Sequence, residues 1–218
     1  MASKFYRKAA VLMLGVILAS QVAVSKAEAA LLTFSFEGAV SEVTGVLFPT
    51  LNTGQTMTGH VTFESSTPSV VPGLGIYLNA ITGLNLQIGS YSASYAPGAN
   101  GIFLTNNGPG GLDNITGLTT VSGGLINGTS AKMFDVSLTD PSGNVLSGVN
   151  LPTAPPSLNS FASNKWRLTF GNGNFVLGSL TKLQAVPLPA SVVLFGAGLI
   201  ALVGLGAGGL RNLRISQI

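Results

Sequence analysis

Across residues 30–185 no helical period is sustained, and short runs alternate in character at every second residue. Met57, Gly59, Val61 and Phe63 interleave with Thr58, His60, Thr62 and Glu64; Leu84, Leu86 and Ile88 interleave with Asn85 and Gln87. Phe134, Val136 and Leu138 alternate with Asp135, Ser137 and Thr139, and Trp166, Leu168 and Phe170 with Lys165, Arg167 and Thr169. Successive side chains of a strand point to opposite faces, so this pattern predicts strands with one buried and one wet face. Residues 32–40, 91–95, 101–105 and 145–149 read as further strands. Turn chemistry punctuates them. The segments 140–144 (DPSGN) and 171–174 (GNGN) are expected to close hairpins, and 106–111 (NNGPGG) forms a longer break. The proline-rich 151–157 (LPTAPPS) is expected to cross from one sheet or edge to another, because proline cannot sit in a central strand. About eight to ten strands in one domain predict an all-β fold, most simply a β-sandwich, with a jelly roll or distorted barrel as the alternatives.

Charge narrows the function. The chain of 218 residues carries a formal +3, but Lys4, Arg7, Lys8 and Lys26 lie near its start and Arg211 and Arg214 near its end. The body holds four bases (Lys132, Lys165, Arg167, Lys182) against six acids (Glu37, Glu42, Glu64, Asp113, Asp135, Asp140), a net −2. No basic stripe can be built from these to neutralise a phosphate backbone, so nucleic acid is rejected as a partner.

Two apolar segments bracket the body. Residues 9–24 follow the basic start and lead to Ala27-Glu28-Ala29. A basic start, a short apolar centre and small residues at the −3 and −1 positions make residues 1–29 a signal peptide for Sec export, with Ala27 and Ala29 read by signal peptidase. The second segment carries no charge from Leu183 to Leu210. Residues 190–210 as helix would be about 32 Å long, the thickness of a bilayer core, which predicts a transmembrane helix. Arg211 and Arg214 would then form a cytoplasmic stop-transfer end.

Val186-Pro187-Leu188-Pro189-Ala190, followed by an apolar span and terminal arginines, resembles the PEP-CTERM sorting signal in its VPLPA form. That resemblance implies an exported bacterial protein handled by an exosortase, a membrane protease or transpeptidase, with residues 186–218 as sorting signal. It also implies that the proline motif is the processing site at the outer membrane boundary. Two prolines at alternate positions favour extended geometry and withhold backbone donors, which suits an accessible cleavage site. Leu188 stands where the commonest motif has Glu, implying a variant sorting enzyme. The body, 30–185, contains phrases such as GHVTFESSTP (59–68) and WRLTF (166–170) that are similar to a recurring group of PEP-CTERM ectodomains, which adds fold support and no chemistry.

Catalytic signatures are sparse. There is no Cys, His60 is the single imidazole, and no Gly-x-Ser-x-Gly or Gly-Lys-Ser/Thr phosphate loop occurs. Zinc would need at least three ligands of kinds this chain scarcely has. Asp113 with Asn114, or Asp140 with Asn144, offers oxygens for calcium without the spacing of a calcium loop, so turn formation is the better reading. Trp166 shares a face with Leu168 and Phe170 and is expected in the core. Tyr91 and Tyr95, at even spacing on one strand, are the candidates for a glycan-stacking platform. The sequence therefore predicts an exported surface or extracellular-matrix protein, non-enzymatic and without cofactor or metal, in contact with exopolysaccharide or matrix proteins. The alternatives are a carbohydrate-binding module using the Tyr platform and an uncleaved, single-pass membrane-anchored β-domain.

Overall fold

The computed structural model describes residues 31–186, and they form an all-β domain. Nine strands run β1 (Leu31–Val43), β2 (Thr56–Glu64), β3 (Ile76–Leu78), β4 (Ile81–Ile88), β5 (Tyr91–Gly108), β6 (Leu112–Gly123), β7 (Ala131–Asp140), β8 (Ser163–Phe170) and β9 (Phe175–Ala185). Pairing follows chain order, β1-β2-β4-β5-β6-β7-β8-β9, and every pair is antiparallel. β9 then pairs with β1, from Phe34 opposite Ala185 to Val43 opposite Val176. That last ladder closes eight strands into a barrel, with β3 added on β5.

The sandwich expectation is thereby corrected to its barrel alternative. A two-layer sandwich leaves sheet edges, whereas here the first and last long strands satisfy each other's backbone groups and abolish them. Period two does not distinguish the two architectures, because both bury one face of every strand. β5 shows a second difference. Residues 91–95 and 101–105, expected as two strands, are halves of one 18-residue strand bent at a register shift between Tyr95 and Asn100. Its first half pairs with β4 and its second with β3. Buried Asn100 holds this seam: its carbonyl accepts from Asn79 N–H at 3.1 Å and its side-chain oxygen from Ile81 N–H at 3.2 Å. Residues 145–149 are not a strand, and 140–144 opens the long β7–β8 connection rather than a hairpin. The segment 171–174 does close a tight turn between β8 and β9, with Asn172 in the left-handed region at φ 58°.

The barrel is filled by aromatic rings set over glycines. Trp166, 1% exposed, lies across Gly38 on β1 and Gly178 on β9; a Cβ on Gly38 would stand 2.6 Å from the indole Nε1, and one on Gly178 would strike the same ring and the Ala39 carbonyl. Phe36 covers Gly59 of β2 in the same way. Phe36 stacks on Phe134 with centroids 5.6 Å apart, and Phe134 in turn meets Trp166 at 6.3 Å. Small positions beside large ones let a narrow barrel take rings that would otherwise overfill it. At one end Leu47 and Leu51, from the β1–β2 connection, are wholly buried and plug the barrel together with Ile126. At the other end a smaller cluster, including Phe34, Phe63, Tyr77, Ile102 and Leu151, closes against the β7–β8 connection.

Candidate functional site

The chain enters and leaves the barrel at one end. β1 begins there with Leu31 opposite Glu64, β9 ends there, and the Val186 N–H donates to the Thr33 carbonyl at 2.9 Å. Val186, first residue of the predicted sorting motif, thus makes the last ladder-like bond among the described residues. Pro187 follows directly, and proline has no N–H with which to extend the ladder. Ala27, Ala29, Pro187, Leu188, Pro189, Ala190, Arg211 and Arg214 lie outside the described residues, as do the signal peptide and the 190–210 segment. Among the described residues no helix is long and apolar enough to cross a membrane. The β2–β4 connection, which leaves β2 at this end, exposes Val70, Val71, Leu74 and Leu78, and β1 exposes Leu31 at its start; the plugged end likewise exposes Val46, Phe48 and Leu125.

The tyrosine platform requires correction. Tyr91 is 6% exposed, faces the barrel interior and packs on Phe170 with centroids 5.5 Å apart. Its hydroxyl, near the Ala131 backbone but without hydrogen-bond geometry to any partner, ends over Gly123, and burial raises its pKa. Tyr95 is half-buried, and its hydroxyl accepts from the Asn100 amide at 3.5 Å. Even spacing put both rings on one face of β5, as the sequence predicted. The face is the inner one.

The outer wall instead presents two polar rows running across strands. In one, Gln184, Ser35, His60, Asn85, Ser94 and Ser122 are successive register partners from β9 to β6. In the next, Lys182, Glu37, Thr58, Gln87 and Ser92 are aligned in the same manner, with Lys182 Nζ 3.1 Å from Glu37 Oε1. Between β2 and β6 the two rows line a groove of about 550 Å³, whose walls carry hydroxyls, amides and the exposed His60 imidazole, without a carboxylate or a lysine. Outward residues of neighbouring strands come into line because the pleat repeats every two residues. The sequence showed each polar residue; the registers that aligned them lay beyond it.

Asp113 and Asp140, considered separately as calcium oxygens, are brought opposite each other on β6 and β7. Both are buried, yet the carboxylates are occupied by donors from the end of β5 and from the β7–β8 connection. Asp113 Oδ2 accepts from Leu146 N–H at 2.7 Å and Val145 N–H at 2.9 Å, and Oδ1 from Asn107 N–H at 2.9 Å. These backbone donors, Leu146 foremost, hold the Asp113 carboxyl below the usual carboxylate range. The Ser142 hydroxyl, at 2.6 Å, does the same for Asp140. The pair is a clasp that fixes the start of the β7–β8 connection. Asp135 behaves oppositely: burial pushes its carboxyl up, partly offset by Arg167, its register partner on β8. Among the described residues no group of three or more His, Cys, Asp or Glu side chains could hold a metal ion.

Comparison with protein families, with curated proteins and with solved structures returns no match.

Proposed function

We propose that this chain is an exported protein, held at the membrane through residues 190–210 and processed at Val186–Ala190 by an exosortase. The released barrel is then a surface or matrix component that meets polysaccharide through its outer polar rows. The carrying observation is the Val186 N–H bond to Thr33: the motif's first residue is hydrogen-bonded into the barrel, so no linker separates barrel from motif. An anchored precursor would rest with its exit end on the bilayer, and the exposed Leu31, Val70, Val71, Leu74 and Leu78 at that end suit such a surface. Pro187 and Pro189 disfavour helix at the residues that precede them, Val186 and Leu188, which suits a site that a protease must reach.

The polar rows support the polysaccharide contact. Hydroxyl and amide groups exchange hydrogen bonds with sugar hydroxyls at little net gain each, so such a wall holds a polymer by many weak contacts. The two buried carboxylates that the register brings together, Asp113 and Asp140, are occupied by the donors of the clasp, and no carboxylate lines the groove between the polar rows, which favours a non-enzymatic role. Mass spectrometry of the C-terminal peptide of the exported form tests the sorting step: cleavage within or next to residues 186–190 is expected. Arg211 still attached would overturn it in favour of the uncleaved, membrane-anchored domain. Pro187→Ala with Pro189→Ala is expected to leave the protein longer and membrane-held.

A further inference from the structure

The exit half of the barrel contains a cavity of about 110 Å³, between the two core clusters. Phe34, Phe63, Ile102, Ile115 and Leu138 wall it, and Pro152 and Pro156 of the β7–β8 connection cover it. Its lining holds no charged side chain, and the one hydroxyl is that of buried Thr119. The cavity exists because β6 places a glycine inward at its centre. Gly117 stands between Ile102 of β5 and Val136 of β7 in the register, yet a Cβ built on it would meet no atom within 4 Å. Elsewhere in the barrel an inward glycine is covered by an aromatic ring; here nothing covers it.

Protein interiors are otherwise packed to crystal density, with few voids larger than a water molecule. Water gains little from this one, since a buried water seeks two to four polar partners and the lining offers a single hydroxyl. An apolar cavity of roughly 150 Å³ is large enough to take benzene, and this one is of that class. Access lies at the exit end. Ile115, Val136, Leu183, Pro152 and Pro156 in its wall are only half-buried, and the covering residues 152–156 carry no strand pairing. The cover is nonetheless held in place, by buried Leu151, by the Tyr77 hydroxyl donating to the Val149 carbonyl at 2.7 Å, and by the Asp113 clasp.

We propose that this cavity is a binding site for a small uncharged hydrocarbon body, either a free ligand or the terminal segment of a longer aliphatic chain, admitted beneath Pro152 and Pro156. The inference stands independently of the sorting reading. Its test uses the protein as recovered from the cells that produce it, its termini read by mass, with labelled methyl groups followed by NMR. Benzene is expected to shift the methyls of Ile102, Ile115 and Leu138 saturably, while those of Leu47 and Leu51 at the plugged end stay fixed. A fatty acid spin-labelled near its terminal methyl is expected to broaden the same signals if aliphatic chains enter. Benzene shifts without that broadening restrict the site to free small ligands. Gly117→Leu, which fills the space, is expected to abolish both responses in a folded barrel. Methyls of the unsubstituted protein that ignore both probes, or respond no differently from those of Leu47 and Leu51, would overturn the proposal whatever the variant does.

Discussion

The two halves of the barrel treat inward glycines in opposite ways. Around Trp166 and Phe36, the glycines at 38, 59 and 178 are recesses into which a ring already fits, and beyond them lie the wholly buried Leu47 and Leu51 of the plug. Around Gly117 the recess stays empty, and the half that faces the chain exit keeps a cavity under a proline-rich cover. The same residue type therefore completes the packing in one half and withholds it in the other. Close packing is reached where rings and glycines interlock, and the half proposed to accept a ligand is the one left incomplete.

Gly178→Ala should break this contrast most severely. The added methyl meets both the Trp166 ring and a backbone carbonyl, neither of which is free to move. A cost at the upper end of the roughly 1–3 kcal/mol seen for overpacking is expected. For a domain of this size that lowers the thermal midpoint by about 6–12 °C, read by calorimetry. Failure to lower it would mean that the ring is not seated on β1 and β9 as described.

Asp113→Asn comes next, and it acts on the cover rather than the core. The amide retains one acceptor oxygen where the carboxylate has two, so faster hydrogen exchange at the Val145 and Leu146 amides is expected with the rest of the barrel protected. The pH dependence has a definite sign. A carboxyl whose folded pKa lies below its unfolded value contributes stability that is present above the unfolded value. It is lost as pH falls through the folded one, so the unsubstituted protein should weaken below about pH 4. Asp113→Asn should flatten that part of the profile. Asp135 contributes in the other direction: its raised pKa favours the folded state below the ordinary carboxylate value and opposes it above, so Asp135→Asn should be neutral or mildly stabilising at pH 7.

Gly117→Ala sharpens the comparison from the other side. Unlike its counterparts it should raise the midpoint, since a strand glycine replaced without collision recovers about 0.5–1 kcal/mol, or about 1–4 °C. The smallest effect on stability is expected on the outer wall. His60→Ala, Asn85→Ala and Ser94→Ala combined should leave the thermal midpoint unchanged and reduce retention on immobilised exopolysaccharide. Unchanged retention would remove the polar rows from the proposed function.

Much of the fold was legible because alternation survives in single strands. β2, β4, β7 and β8 were readable residue by residue, since each carries large apolar side chains inward. β6 was not. Its inward positions include Asp113, Gly117 and Thr119, so a polar clasp, an empty recess and a buried hydroxyl replace the usual apolar signal. β9 hid for a related reason: Gly178 faces inward beneath Trp166, and a register shift at β1 interrupts the alternation near Lys182. The Tyr91 and Tyr95 pair was legible as a shared face, but the inner and outer faces of Ser- and Ala-rich β5 look alike in composition.

Local composition determined the all-β character, the turn at 171–174, the charge-poor surface and the apolar segments on either side of the body, because each rests on residues close together in the chain. Closure of the barrel, alignment of the polar rows, the meeting of Asp113 with Asp140 and the cavity at Gly117 were decided only in three dimensions. Each depends on the register between strands, which is set by how the whole interior fills rather than by any one segment.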